Sequence, residues 1–152
     1  MIKKKVVRLS RIWSLHPKYL DGIEIFFLWR NCIMAKKILD GTEKVNRKFP
    51  HLARFESSSN PIGAINIYLS EVYKIASTHG KNFKLDKFDD SFKDISLNVT
   101  KGQMEYEVEL FKKKLRNRSS DTNALIFKIK IIEPNPLFKV VEGNKEAWDI
   151  EQ

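Results

Sequence analysis

The chain is poor in the residues that build disulfide scaffolds and metal sites. Its one cysteine, Cys32, excludes an internal disulfide and a zinc ribbon. The three histidines, His16, His51 and His79, are too far apart in the sequence to show the spacing of metal ligands. We therefore expect no metal and no other cofactor, and a reducing cytoplasm is the simplest compartment.

Long hydrophobic runs and general enzyme motifs are also missing. The most apolar stretch, residues 23–35, is short and contains Glu24 and Arg30, so no membrane-spanning helix is predicted. The basic residues 1–7 lack the long apolar core of a secretion signal. The six glycines form no phosphate-binding loop, and no serine lies in a nucleophile-elbow motif.

Acidic residues are scarce relative to basic ones. The chain has 28 lysines and arginines but 19 aspartates and glutamates, which gives a net charge of +9. Such a charge favours a polyanionic partner, nucleic acid ahead of an anionic membrane surface. A protein from a lysine-rich proteome would carry the same charge without such a partner. With 152 residues, of which 42% are apolar, the chain is long enough for one domain with a core.

Apolar spacing predicts a first helix between Asp21 and Gly41. Asp21 and Glu24 have the spacing of a capping box, and Asp40-Gly41 is a typical helix end. The apolar surface of this helix is wide, so we expect it to be buried against more than one neighbour. Its members are Ile23, Phe26, Phe27, Trp29, Ile33, Met34 and Ile38.

Two further helices complete a mainly α fold. The second begins at Asn60-Pro61 and ends at His79-Gly80. The third begins at Thr100, where Gln103 suggests another capping box, and its last turns are basic. Residues 41–60 are predicted as a polar loop and 81–98 as irregular, while 125–132 fit a strand or a helix equally well. We expect a compact single domain, residues 10–152, of three principal helices with long loops and an extended C-terminal tail.

Separated runs of residues resemble the pyrimidine-dimer DNA glycosylase family, whose best-known member is also called endonuclease V. Each run is short, but their joint order and spacing make chance similarity improbable. In chain order they are residues 11–21 (RIWSLHPKYLD), 28–30 (LWR), parts of 50–69, parts of 99–107, 134–141 (PNPLFKVV), Gly143 and Trp148.

This resemblance implies a DNA-repair enzyme. Members of the family are compact, mainly helical and bind duplex DNA at ultraviolet-induced pyrimidine dimers. The N-terminal α-amine, with a pKa of about 7.7–8.0, attacks the anomeric carbon of a damaged nucleotide and forms an imine. β-Elimination then cuts the strand, with a nearby carboxylate that stabilises positive charge and carries protons. No metal is required.

Two positions depart from the family pattern. Asn31 occupies the position of the carboxylate and cannot accept a proton, so another acid, Glu24 or Glu107, would have to replace it. For Glu24 we favour the capping role. Ser10, at the position of the family's N-terminal amine, follows nine residues and has a peptide nitrogen. Residues 1–9 are either a genuine basic extension or a misassigned start, in which Leu9 is a TTG initiation codon and Ser10 becomes the mature N-terminus.

The expected DNA-binding residues are basic, apart from one histidine. They are Arg11, Arg30, Lys101 and the cluster 112–118, in which Lys113, Lys114 and Arg118 are the principal candidates. His16 either contacts the flipped base or sugar or caps a turn. Trp13, Trp29 and Cys32 are expected in the core rather than at the site.

Three functional hypotheses follow. The first is a monomeric glycosylase and lyase that acts on ultraviolet-damaged duplex DNA through the amine of Ser10. The alternative is a catalytically inactive relative that binds DNA and has lost both amine and carboxylate. An RNA-binding accessory protein is a weaker third hypothesis, because the surface aromatics of an RNA-recognition sheet are absent from the sequence pattern.

Overall fold

Three helices of 18 residues dominate the structure, a computed structural model that describes residues 7–118 and 124–150. Helix α1 spans Gly22–Leu39, α3 spans Pro61–Thr78 and α4 spans Lys101–Arg118, while the short α2 spans Ala53–Glu56. Two four-residue strands, β1 (Leu97–Thr100) and β2 (Phe138–Val141), pair in parallel. The fold is mainly α, as the sequence predicts.

Helix α1 begins where the capping-box pattern places it. The Asp21 carboxylate accepts a hydrogen bond from the Glu24 N–H at 2.9 Å, and the Glu24 carboxylate accepts one from the Asp21 N–H at 3.5 Å. The chain leaves the helix through Gly41, whose φ of +81° suits a residue without a Cβ. The expectation that the whole apolar surface is buried was wrong, because Ile23 and Phe27 are 65% and 60% exposed.

Helix α3 packs against α1 and provides the centre of the core. The Asn60 side chain caps it by accepting from the Gly63 N–H at 2.9 Å. Its buried apolar side chains recur at helical spacing and are Ala64, Ile65, Tyr68, Leu69, Val72 and Ala76. The predicted core residues Cys32, Trp13 and Trp29 are buried as well. Burial also raises the pKa of the Cys32 thiol, because the charged form is poorly solvated there.

Helix α4 has the predicted cap but not the second capping box. The Thr100 hydroxyl accepts from the Gln103 N–H at 3.0 Å. The Gln103 side chain does not reach back to the cap. It donates to Glu107 at 3.0 Å and to Asp149 at 2.7 Å, and accepts from the Glu146 N–H at 3.0 Å. Gln103 therefore connects α4 to the C-terminal tail instead of closing its own helix.

The connecting segments are more ordered than the sequence indicates. The predicted polar loop 41–60 contains a 3-10 turn, Pro50–Leu52, and helix α2, with Arg54 and Phe55 buried. Segment 125–132 is neither strand nor α-helix, because it forms a 3-10 turn over Leu125–Phe127 and then continues irregularly. The tail contributes β2, whose pairing with β1 was not predicted. In the part of the chain that is described, no helix has both the length and the apolar character to cross a membrane.

Candidate nucleic-acid interface

The segment from Arg11 to Leu15 runs through the interior of the molecule. Ile12 and Leu15 are 0% and 1% exposed, and the Trp13 ring meets the edge of Phe111 at a centroid distance of 5.4 Å. The Tyr68 hydroxyl donates to the Trp13 carbonyl at 2.7 Å. These contacts with α3 and α4 hold the segment on both sides, so the position of Ser10, just before it, is set by the core.

A buried polar network around Ser14 adds to this fixation. One Glu107 oxygen accepts from the Ser14 N–H at 2.7 Å, and the other accepts from the Ser14 hydroxyl at 2.6 Å. Arg54 donates to the Ser14 hydroxyl and, at 2.7 Å, to the Ile12 carbonyl. Burial lowers the pKa of Arg54, an effect that the Glu107 charge opposes. Glu107 and Arg54 thus both bind the buried segment through hydrogen bonds.

Arg11 is held by the tail. Its two terminal nitrogens donate to the two Asp149 oxygens at 2.8 and 2.9 Å, and Asp149 is 1% exposed. Arg11 itself is 8% exposed and lies at the wall of the cleft described below. The bidentate pair with Asp149 uses two of the five guanidinium N–H groups, and the expected phosphate contact of Arg11 stays a prediction.

Ser10 and Asn31 contact each other, although 21 residues separate them. The Ser10 N–H donates to the Asn31 side-chain oxygen at 2.8 Å, and the Asn31 side-chain nitrogen donates to the Ser10 carbonyl at 2.8 Å. The structure therefore brings together the two positions that the resemblance assigns to nucleophile and carboxylate. The second of these hydrogen bonds needs a donor, which an ionised glutamate does not have.

An open cleft of about 1040 Å³ surrounds this pair, between α1 and the C-terminal half of α4. We call it the cationic cleft because five basic residues contribute to its lining besides Arg11. Arg118 is partly neutralised, since it contacts Asp21 at 2.9 Å and Glu24 at 3.4 Å. The lining residues are Arg8, Ser10, Arg11, Trp13, Leu20, Glu24, Phe27, Leu28, Arg30, Asn31, Met34, Leu110, Lys113, Lys114, Asn117 and Arg118.

Two of the expected DNA-binding residues lie outside the cationic cleft. The His16 ring accepts from the Lys18 N–H at 3.0 Å and meets Glu71 at 2.9 Å, so it has the turn-capping role that was its alternative. Its pKa is lowered by burial, against the opposing charge of Glu71. Lys101 begins α4, about 18 Å along the helix axis from Lys113. The cleft thus brings together Arg11, Arg30, Lys113, Lys114 and Arg118 of the predicted set.

The two replacement acids also differ in their surroundings. Glu107 is 0% exposed, hydrogen-bonds Ser14 and Gln103, and is absent from the cleft lining. Glu24 lines the cleft, but one of its oxygens serves the helix cap, as we favoured. Its other oxygen is buried and has no hydrogen-bond partner among the described residues. Across the same residues, no group of three or more potential ligands from His, Cys, Asp and Glu is placed to hold a metal ion.

The sequence prediction missed Phe27 and the tail residue Asp149. Phe27 was expected in the core, yet it lines the cleft. Successive helical residues point about 100° apart, so the pair Phe26-Phe27 could have warned that both rings would not face one core. The sequence gives no such signal for Asp149, because none of the residues next to it along the chain indicates that it pairs with Arg11.

The sequence comparison supports the resemblance. The family model for pyrimidine dimer DNA glycosylase matches residues 11–89, which is just over half of the chain. This chain belongs to the pyrimidine dimer DNA glycosylase family. The matched segment contains Arg30 and Asn31 and ends before α4, which contributes the other wall of the cleft. No curated protein and no solved structure was found to match the chain.

Membership of this family supports a role in DNA repair and implies that the protein binds damaged DNA. The charge of the cleft agrees with that partner, since DNA phosphates are bound mainly by lysine and arginine. The Ser10–Asn31 contact lies among these cations. It joins the two positions to which the resemblance assigns the catalytic amine and the carboxylate.

Proposed function

We propose that this pyrimidine dimer DNA glycosylase homologue binds duplex DNA that carries pyrimidine dimers, with the damaged strand in the cationic cleft over the Ser10–Asn31 pair. The main support for this proposal is the 2.8 Å hydrogen bond between the Ser10 nitrogen and the Asn31 side-chain oxygen inside the cleft. It supports this function because the family chemistry needs an amine nitrogen beside the motif position that follows Trp29-Arg30. Arg30, Lys113 and Lys114 supply phosphate contacts around it.

The strand-cleaving step depends on the state of the Ser10 nitrogen. An α-amine has a free electron pair with which to attack the anomeric carbon, and the bond from that carbon to the base breaks as the new C–N bond forms. The sugar ring then opens at the bond between the anomeric carbon and the ring oxygen, which takes up a proton that the nitrogen gives up, and an imine results. A peptide nitrogen is conjugated with its carbonyl and already bonded to two carbons, so it cannot form that imine. We therefore assign glycosylase and lyase action to a form of the protein in which Ser10 is the N-terminal residue.

Asn31 limits the rate of this chemistry. Its amide is neutral and accepts no proton in the usual pH range, so it neither stabilises the cationic imine nor moves a proton. A glutamate at the same position, 2.8 Å from the nitrogen, would do both. Proton transfer by a positioned side chain contributes about 10²–10⁴-fold in rate, and this is the gain we expect from the substitution Asn31→Glu.

The second candidate function is a DNA-binding module without catalysis. The observation that favours it is the hydrogen bond from the Asn31 side-chain nitrogen to the Ser10 carbonyl. Together the two bonds pair the Asn31 amide with the N–H and the carbonyl of Ser10, which an ionised glutamate cannot do because it has no donor. A chain that keeps residues 1–9 would then hold damaged DNA and leave cleavage to another protein.

A borohydride trapping experiment separates these functions. The full chain and a chain that begins at Ser10 are each prepared with Asn31 and with Asn31→Glu, then incubated with ultraviolet-irradiated or untreated duplex. We expect a covalent adduct only from the Ser10 form on irradiated DNA, and a larger yield with Asn31→Glu. Acetylation of the Ser10 amine is the matched control and should abolish the adduct.

The contrary results are distinct. Adduct formation by the full chain would show that the amine of Ser10 is not the nucleophile. If no form gives an adduct, but the full chain binds irradiated duplex more tightly than untreated duplex, the non-catalytic module stands. If single-stranded RNA competes better than irradiated duplex, both candidates fail and the protein is an RNA-binding relative.

A further inference from the structure

Phe27 is an exposed aromatic side chain that lines the cationic cleft. It is 60% exposed, on the same wall as Arg30 and Asn31. A phenylalanine ring left in water forgoes the favourable free energy that its burial would provide. The neighbouring Phe26 is less exposed, at 39%, because its ring contacts Phe83 and the Arg30 guanidinium.

The surroundings of Phe27 indicate the chemistry of what covers it. A hydrophobic peptide would bring no negative charge to Arg30, Lys113 and Lys114, which line the same cleft. A second copy of this chain would bring a net charge of +9, of the same sign as these residues. A nucleic acid offers both complements, phosphates for the cations and flat apolar base faces for the ring. Stacking of a base on an aromatic ring is tolerant of sequence, because every base has such a face.

The position of Phe27 on α1 relates it to the reacting position. Phe27 and Asn31 are four residues apart, so they lie on one face of the helix about 6 Å apart along its axis. Nucleotides follow each other at about 3.4 Å along one strand. A nucleotide over the Ser10–Asn31 pair would therefore place an adjacent nucleotide within reach of the Phe27 ring.

We propose that Phe27 contacts the face of an unstacked base next to the damaged nucleotide and so contributes to the choice of damaged over intact duplex. This inference rests on the proposed binding of damaged DNA in the cationic cleft. Apolar side chains that enter a base step stabilise kinked duplexes, and a dimer weakens the stacking that must be broken. Intact duplex, whose bases stay stacked, would meet only the cations.

The test measures the affinity of the full chain and its variants for duplexes with and without one thymine dimer. For Phe27→Ala we expect a loss of about 5- to 150-fold on the dimer duplex, the range of one base–aromatic contact, and no change beyond about two-fold on the intact duplex. Phe27→Trp should keep the preference. Leu85→Ala is the matched control, since Leu85 is also 60% exposed but does not line the cleft.

A second set of duplexes tests the contact itself. The nucleotide on either side of the dimer is replaced, in separate duplexes, by a sugar without a base. The effect of Phe27→Ala should disappear on one of these duplexes, because the coupling of two groups in contact is lost when either is absent. An undiminished effect on both would overturn the base contact.

The outcomes distinguish this inference from the proposed function. If the wild-type protein does not prefer the dimer duplex, the proposed function fails and the inference fails with it. If the wild type prefers it and Phe27→Ala keeps that preference, only the inference is overturned. Sedimentation of the free protein tests whether a second copy of the chain covers Phe27 instead of a base. A dimer that Phe27→Ala dissociates would overturn the inference.

Discussion

Glu107 shows, at the scale of single residues, how a buried charge is kept and what it is used for. It is 0% exposed, and its oxygens accept from the Ser14 N–H, the Ser14 hydroxyl and Gln103. A buried carboxylate is stable only when its oxygens have partners. The sequence offered Glu107 as a replacement acid, but its geometry ties it to the segment that positions Ser10.

We therefore expect Glu107→Gln to lower the free energy of unfolding, whatever its effect on catalysis. The amide offers one acceptor oxygen in place of two and turns an N–H toward a donor, so a buried donor is left without a partner. We expect a loss of about 1–3 kcal/mol in the free energy of unfolding, measured with urea. Glu105→Gln, on the exposed side of α4, should change it by less than about 0.5 kcal/mol. Equal effects at both positions would contradict the role of the Ser14 network.

The burial of His16 makes the stability of the fold depend on pH. Burial lowers its folded-state pKa below the ordinary value of 6.5, with Glu71 opposing. Just below pH 6.5 the unfolded chain thus binds a proton that the folded chain does not, so stability falls as the pH is lowered through this window.

His16→Asn isolates this contribution, since asparagine keeps an acceptor for the Lys18 N–H but does not titrate. Urea unfolding of both proteins at about pH 7.5 and about pH 5.5 brackets the ordinary histidine pKa. The stability of the wild type relative to the variant should decrease at the lower pH. An increase would mean that Glu71 holds a charged imidazole in the folded protein.

At the scale of elements, α4 and the C-terminal tail fit together through Gly102. A Cβ at this position would lie 2.6 Å from the Asn144 carbonyl carbon and 2.7 Å from the Lys145 nitrogen. These are backbone atoms, which cannot turn aside as a flexible side chain can. The Gly102 N–H also donates to the Gly143 carbonyl at 2.9 Å. The same tail holds Arg11 through Asp149, so the packing at Gly102 supports the N-terminal segment indirectly.

Gly102→Ala should displace the tail and lower the free energy of unfolding by about 1–3 kcal/mol, the usual cost of overpacking. Gly22→Ala is the matched control, because Gly22 also lies in the first turn of an 18-residue helix. Its Cβ would meet only the flexible Lys81 side chain at 3.4 Å, and we expect a gain of about 0.4–1 kcal/mol. Stabilisation by both substitutions would show that the tail does not constrain α4.

At the scale of the whole molecule, the chain has a net charge of +9, and six of its 28 lysines and arginines line the cationic cleft. Each phosphate that a lysine or arginine neutralises releases counterions, so binding weakens steeply with salt. The slope of the logarithm of affinity against the logarithm of salt concentration counts these contacts. It therefore distinguishes cations that meet DNA from those that only add to the net charge.

Replacing Lys113 and Lys114 together by glutamine should make this slope shallower by about 1.8, or about 0.9 for each lost contact. Lys101→Gln is informative in both directions. No change would agree with its place outside the cationic cleft, whereas a change of about 0.9 would place it on DNA as the sequence predicted. An unchanged slope for the double variant would remove the cationic cleft as the DNA site.

The sequence alone determined the three long helices, their N-caps and the family. Caps such as Asp21 with Glu24, and apolar spacing of the kind seen in α3, depend on residues at most a few turns apart, so they are visible along the chain. The basic composition is likewise independent of the fold, and a family pattern is a comparison of sequences. For the same reason the proximity of Ser10 and Asn31 was expected only through the resemblance, not from the residues themselves.

Only the tertiary structure decided which side chains remain available to a partner. Arg11 is paired with Asp149, 138 residues away, and Glu107 with Ser14, 93 residues away. The pairing of β1 with β2 and the exposure of Phe27 are equally non-local. Such contacts depend on how helices and tail pack, because a charged or aromatic residue has no preferred partner until the fold brings one within a few ångströms.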